Sequence, residues 1–404
     1  MCIGGGRHID LKPSIKAFMA MERFSNDGSP SGFSDINTTS PGHRPSDPVP
    51  HFLLPLYHCS DFNPVRLGGF TKVTQALYPV HPDMVDRFER LTKLKPALEL
   101  KAAPTSSPRT LYVEQPSCPL FIKLAYQGLI GRVTRRMTRR HVTSAIEVSL
   151  CFKDAIESKR LPKHIQIMHE YSGTHFGDEG PLTDWGFVER NPLIAGFPNA
   201  ILVPSFSLFA TRGGSVPPLL HQLMNLSASL LQPEAFFDQF LIPLLDLYFD
   251  PVIALGLQAE AHAQNVIYLL DSQYSPVAVA LRDMESVDKD AGIMEYFGLA
   301  PKITDYTYKT LNKTDYNYQI MHSFMFDFKL GHYLLGPMVD CWGEKAGNSA
   351  VRAIEEMIRA YSKKKADPLP DDFFPKDVWY NYDPVVHEGS SRRKYNSFPN
   401  PRFR

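Results

Sequence analysis

The stretch NVIYLLDSQYSPVAVALRD at residues 265–283 constrains the fold more than any other part of the chain. Two apolar runs flank the turn signal SQYSP, which reads as a β-hairpin. The strands of a hairpin start and finish at one end, so Asp283 returns beside His262 and Asn265. Just before the hairpin stands EAHAQN, read as the end of an apolar helix. A Glu, a His, a Gln and an Asn gathered there are costly to bury without a purpose. Glu260, His262, Gln264, Asn265 and Asp283 are therefore candidate site residues. Asparagine and a carboxylate at one point form a typical oxygen-ligand pair for Mg²⁺ beside phosphates.

Around the hairpin the chain is mixed. TLYVE and PLFIKLAY, separated by QPSC, predict a second hairpin. HIQIMHEYSGTHFGDEG, WGFVERNPLIAG and ILVPSFSLF are short β-prone pieces broken by Gly and Pro, and suggest the rest of a mixed sheet. Residues 216–262 are helical territory, with apolar residues three and four apart and a second helix starting at Pro233; residues 316–361 predict two more helices. The fold class is α+β. Residues 24–50 are rich in Ser, Pro, Gly, Asn and Asp and too poor in aliphatics to offset ordering entropy, so they predict a linker or disordered arm after one short helix. The tail from about residue 364 is expected to wrap the surface or to be disordered.

Composition narrows the function. The 404 residues carry 43 Lys and Arg against 43 Asp and Glu, so any basic site is local and the chain is not built to coat nucleic acid or an anionic membrane. Cys2, Cys59, Cys118, Cys151 and Cys341 are scattered without a CxxC pair, which fits reduced thiols in a cytoplasmic protein. The first residues lack an apolar signal core, and AFFDQFLIPLLDLYFDPVIALGL carries three aspartates and two prolines, so neither secretion nor a membrane span is expected.

Two basic clusters complete the candidates. Ser106, Ser107, Arg109 and Thr110, with Lys123 on the next predicted strand, gather hydroxyls and cations of the kind a triphosphate demands; a Ser-rich turn with a solvated arginine is the bland alternative. Arg132, Arg135, Arg136, Arg139 and Arg140 would share one face of a helix. Such a stripe serves a phosphate or polycarboxylate, a solvated face, or pairing with distant glutamates. His81, in PVHP, reads as a structural histidine of a Pro-rich turn.

In this order the pieces resemble the IucA/IucC family of siderophore synthetases, over about residues 75–345. PVHP looks like the family's PVHPWQ segment with Asp83 in place of Trp. SSPRT is similar to its Ser-x-Arg-Thr nucleotide loop, FIKLAYQGLIGRVTRR to its KLxxxxxITxxxR stretch, and EAHAQN, hairpin, RD to its palm motif. The resemblance implies a mixed β-sheet fingers region at 51–212, followed by a largely helical palm at 213–363 that contains the hairpin; residues 1–50 would be an arm left from the thumb and 364–404 a tail. It implies ATP contacts from Ser107, Arg109, Thr110, Lys123, His262, Gln264 and Asn265, metal or phosphate roles for Glu260 and Asp283, and a carboxylate contact for Arg135. Lys123, Arg135 and His262 would be the catalytic set. The implied reaction is adenylation of citrate or a related acid, with Mg²⁺, then condensation with an amine or hydroxyl by a cytoplasmic, homodimeric ligase. A kinase-like phosphotransferase and a non-catalytic binding protein of the same fold are the rivals. The chain departs from the family in four places: the GHPxHPxxKxR-like thumb segment is missing, with only PGHRPSDP nearby; Gly131 replaces Thr; Arg-Glu-Asn-Pro appears as Glu189, Arg190, Asn191, Pro192; and Asp83 replaces Trp.

Overall fold

The computed structural model describes residues 11–25, 38–62, 64–71, 74–114, 119–130, 133–208, 210, 218–227, 232–261, 263–300, 303, 344–370, 377–381 and 395–399. The first half runs α1 (Ile15–Phe24), β1 (Phe52–His58), β2 (Val65–Gly68), β3 (Leu77–Pro79), α2 (Val85–Thr92), β4 (Leu98–Pro104), β5 (Thr110–Val113), β6 (Leu120–Leu124), β7 (Tyr126–Ile130), β8 (Val133–Arg135) and α3 (Arg139–Glu157). Next come β9 (Ile165–Ile167), β10 (Glu170–His175), β11 (Phe187–Arg190) and β12 (Ile201–Pro204), then α4 (Pro218–Leu226), α5 (Pro233–Phe236) and α6 (Ile242–Leu255). The rest is β13 (Leu257–Gln258), β14 (Val266–Leu270), β15 (Pro276–Leu281), β16 (Asp288–Lys289), α7 (Ala291–Phe297), a long helix Glu344–Ala366, and β17 (Asp377–Asn381) with β18 (Tyr395–Pro399).

The fold class is α+β. An eight-stranded antiparallel sheet has the order β2-β10-β11-β6-β5-β4-β1-β3, and a four-stranded sheet the order β12-β14-β15-β9, in which only β9 and β15 run parallel. Both predicted hairpins form: β5 with β6, and β14 with β15. On β5, β6 and β11, alternation sends Leu111, Ile122 and Phe187 into one core. The opposite face brings Phe121 against Ile267 and Ala280 of the smaller sheet in a second core. Phe18 and Met19 of α1 fill the same core, with the Phe18 and Phe121 rings 6.1 Å apart.

The expected arm is therefore corrected in its described parts. Helix α1, capped by Ser14 through Ala17 N at 3.2 Å, is packed between the sheets, with Phe18, Met21 and Glu22 fully buried. Residues 38–50 are ordered by hydrogen bonds: Arg23 donates to the carbonyls of Pro45 (3.0 Å), Pro50 (3.2 Å), Asp47 (2.7 Å) and Val49 (2.7 Å). Past residue 364 the long helix continues to Ala366, and further on β17 pairs with β18. Residues 304–343, where most of two further helices were predicted, lie outside the described residues.

Polar contacts latch the helix Glu344–Ala366 to α6. Asp246 accepts from Lys365 (2.6 Å) and Tyr361 (2.6 Å) and pairs with His164 (2.8 Å), while Asp250 pairs with Lys365 at 2.7 Å. Burial alone would raise the Asp246 carboxyl, but hydrogen bonds from His164, Lys365 and Tyr361 outweigh it and hold it below the usual range. Lys365→Met leaves two mostly buried carboxylates without their shared cation. We expect a loss of about 2 kcal/mol, below the range for a fully buried pair because Lys365 keeps 24% side-chain exposure. The measurement is the urea midpoint at unchanged slope; an unmoved midpoint would refute the latch.

Among the described residues no helix is long and apolar enough to cross a membrane.

Candidate functional site

The face of the large sheet that meets the hairpin carries Thr110, its cross-strand partner Lys123, and Arg190. The turn before Thr110 is closed by its own backbone: Thr105 N donates to Thr110 O (2.8 Å), Thr110 N to Ser107 O (3.3 Å), and Leu124 N to Arg109 O (2.9 Å). Opposite lies the base of the β14–β15 hairpin, where Arg282 N donates to Asn265 O at 2.9 Å. Between the two is a cleft. The turn contributes Ser106, Ser107, Arg109 and Thr110 to its lining, and the hairpin base contributes Gln264, Asn265, Arg282 and Asp283. Lys123, Arg135 and Arg190 close the remaining wall.

Nine sequence-predicted residues thus share one cleft: Ser106, Ser107, Arg109, Thr110, Lys123, Arg135, Gln264, Asn265 and Asp283. His262 lies outside the described residues. Glu260 is not part of the lining; its carbonyl accepts from Asn265 Nδ2 at 3.0 Å. The predicted helix end is corrected. Helix α6 stops at Leu255 because Gly256 takes a left-handed conformation (φ 67°), and β13 separates it from EAHAQN, of which residues 263–265 form a turn. The arginine stripe is also corrected. Val133–Arg135 is a strand paired with β7, and α3 begins only at Arg139, so no single helix face carries the run. Arg135 turns to the cleft, whereas Arg136 pairs with Asp184 at 3.4 Å and Arg139 with Asp178 at 2.7 Å.

Carboxylates behind the cleft hold its cations in place. Lys123 Nζ contacts Asp283 and lies 2.8 Å from Glu285; Arg109 Nη2 is 3.0 Å from Glu285. Arg190 donates through Nε to Glu170 at 3.0 Å and through Nη2 to Asp283 at 3.2 Å. Burial works against ionised Asp283 and Glu285, yet Lys123, with Arg190 and Arg109 at Asp283 and with Arg109 at Glu285, holds both carboxyls below the usual range. Burial, and next the charge of Arg109, lower the pKa of Arg135. Asp283 has left-handed backbone (φ 74°), a conformation that costs a β-carbon residue about 1–2 kcal/mol and persists here where two cations grip its side chain.

Among the described residues no group of three or more His, Cys, Asp and Glu is placed to hold a metal, and the Asp283 carboxylate is engaged by Lys123 and Arg190. The side chains facing the cleft suit an anion. Glu170 and Glu285 escaped sequence reasoning because each acts from behind a cation across a long sequence separation. The one local signal was Glu285 two residues beyond Asp283.

His81 is structural, as its turn suggested. It is fully buried, its Nδ1 accepts from Asp83 N at 3.2 Å, and it stacks edge-on with Tyr126 at 4.9 Å. Asp83 accepts from Tyr126 Oη (2.9 Å) and Ser40 N (3.0 Å) and pairs with His43 (2.7 Å).

Comparison with known proteins places this geometry. The IucA/IucC family model matches residues 74–209, and that of the ferric iron reductase FhuF-like transporter matches residues 234–350. No curated protein matches the chain in sequence. Among solved structures, the ATP-bound aerobactin synthetase IucA of a hypervirulent Klebsiella pneumoniae superposes with a TM-score of 0.63 at 15% identity, over 87% of this chain and 70% of that one. The petrobactin biosynthesis protein AsbB of Bacillus anthracis strain Sterne gives 0.63 at 15% identity, over 87% and 68%. The Klebsiella aerobactin synthetase IucC gives 0.61 at 13%, over 87% and 70%. These likenesses establish a shared fold, and the IucA/IucC family match spans strands β3 to β12 of it.

Proposed function

We propose that the chain is an ATP-dependent ligase of siderophore biosynthesis. In this reading it adenylates a carboxylate of citrate or a related polycarboxylic acid and passes the acyl group to an amine or hydroxyl. The observation that carries the proposal is the cleft itself, where a hydroxyl-bearing turn and five cations, Arg109, Lys123, Arg135, Arg190 and Arg282, converge. A protein of the same fold was solved with ATP bound.

ATP supplies the electrophilic α-phosphorus and pyrophosphate as leaving group. An acid carboxylate oxygen forms the new bond to phosphorus, and the bond to the β-phosphate oxygen breaks. The acceptor amine or hydroxyl then displaces AMP from the acyl carbon, losing its proton. No side-chain nucleophile is needed. Ser107, Thr110 and Asn265 offer hydrogen bonds that orient the nucleotide, and Arg109 and Lys123 offset charge growing on the phosphates in a site shielded from water. Arg135 has no ion-pair partner among the described residues, which leaves its guanidinium for the carboxylate of the acid.

The test is hydroxamate trapping with magnesium ATP and a panel of citrate-like acids. We expect a hydroxamate with citrate, release of AMP and pyrophosphate, and a fall of at least about 100-fold in Arg109→Ala. ADP release would point to a phosphotransferase. ATP binding without any hydroxamate across the panel would point to a non-catalytic protein. Full activity in Arg109→Ala would remove the nucleotide from this cleft.

A further inference from the structure

Glu22 sits on α1, well before the residues that match the family, and has no exposed surface. A buried carboxylate is costly unless every oxygen is occupied. Its Oε2 accepts from the backbone N–H of Ser106 at 2.9 Å, and its Oε1 lies 2.9 Å from Arg282 Nη1. Arg282 in turn donates through Nη2 to Ser106 Oγ at 3.2 Å and through Nε to Gln264 O at 2.8 Å. One carboxylate therefore ties the hydroxyl-bearing turn of the large sheet to the hairpin base of the small sheet. Those two segments are the opposite walls of the cleft. The anchor is firm. Phe18 and Met19 are packed in the core between the sheets, and Ser207 Oγ donates to Ser25 O at 3.1 Å.

We infer that Glu22 is a positioning residue for the anion cleft: it orders the Ser106–Arg109 turn and aims Arg282, so that α1 is part of the site's machinery. This rests on the nucleotide reading above. Glu22 is not part of the cleft lining. It acts through Ser106 and Arg282, both of which line the cleft. With the carboxylate neutralised, the Ser106 N–H keeps an acceptor, but Arg282 loses its counter-charge and the turn loses its charged tie to the hairpin.

Glu22→Gln tests this with two readouts at a temperature where the variant is fully folded. Hydrogen exchange at the Ser106 amide is expected to speed up at least about tenfold, and the dissociation constant for ATP to rise about tenfold. Glu22→Asp, which keeps the charge on a shorter arm, should restore most of the ATP affinity and serves as the folded variant if the glutamine form does not fold. A merely structural role would lower the melting temperature and leave ATP affinity within twofold in the folded protein, and that result overturns the inference. Arg109→Ala distinguishes the two levels. If wild type binds ATP and Arg109→Ala does not, an unaffected Glu22→Gln refutes the positioning role alone. If wild type binds no ATP, the nucleotide reading falls and the inference with it.

Discussion

Replacing Lys123 with methionine is expected to cost both the reaction and a large part of the stability. Lys123 is 4% exposed and its ammonium serves Asp283 and Glu285 together, the latter at 2.8 Å. Methionine keeps most of the stem's volume, so packing on β6 is little disturbed. What changes is charge: two carboxylates held ionised by that cation are left beside each other with Arg109 and Arg190 as remaining partners. Removing one member of a buried ionic group costs about 3–5 kcal/mol, so the urea midpoint should fall accordingly. The hydroxamate rate should fall about 100- to 1000-fold, the usual loss when one donor to a developing negative charge is removed. A double variant, Lys123→Met with Glu285→Gln, separates the two effects. Deleting one stranded charge should return part of the stability and none of the activity. Were Lys123→Met as stable as wild type, the ammonium would not be what holds Asp283 and Glu285, and the electrostatic account of the cleft would fail.

Local signals made the strands and the cleft legible, and long-range ones were hidden. Both hairpins are visible as apolar runs around turn residues, and the return of a hairpin to its own base is enough to bring Asp283 to Asn265. The meeting of Ser107 and Arg109 with Asn265 rests on more than 150 intervening residues and is visible only through likeness to a family. The arginine run misled because helical spacing was read through residues that form a β-strand, where Val133 and Thr134 are β-branched and a paired edge is available. Residues 38–50 misled for a different reason. Their composition gives little apolar burial, yet one guanidinium, Arg23, gathers four of their carbonyls, and Asp47 accepts from Gly42 N (2.6 Å) and Arg44 N (3.0 Å). Order bought by hydrogen bonds to a distant side chain leaves no periodicity to read. Glu22 is the same case: a single acidic residue on a short helix, made important by partners 84 and 260 positions away.

Acid should unfold this protein earlier than its balanced charge suggests, because burial disfavours protonation of His81, His141, His169 and His175, of which His81 and His169 are shifted furthest. Burial pushes His81 down to about 4, with Asp83 opposing, and burial pushes His169 down to about 4, aided by Lys153. Both values lie below the ordinary 6.5. Between these limits the unfolded chain takes up protons that the folded chain refuses, so stability rises with pH across the window. It is complete above about pH 6.5 and lost progressively down to about pH 4. A single fully refusing histidine gives a slope of at most about 1.4 kcal/mol per pH unit; His81, with no exposed surface, should approach it, and the partly exposed His169 should add less. The depressed carboxyls, Asp83 and Asp283 among them, act in a lower window, since their stabilisation is present above about pH 4 and fades only as pH falls further. Urea midpoints taken at half-unit steps from pH 7.5 to 4 should therefore decline through the histidine window. In His81→Asn, whose side-chain oxygen still accepts from Asp83 N, the curve between pH 6.5 and 4.5 should flatten by the share His81 contributes. An equally steep curve in that variant would place the proton uptake elsewhere, and a flat wild-type curve would show that the buried ring is protonated at no cost.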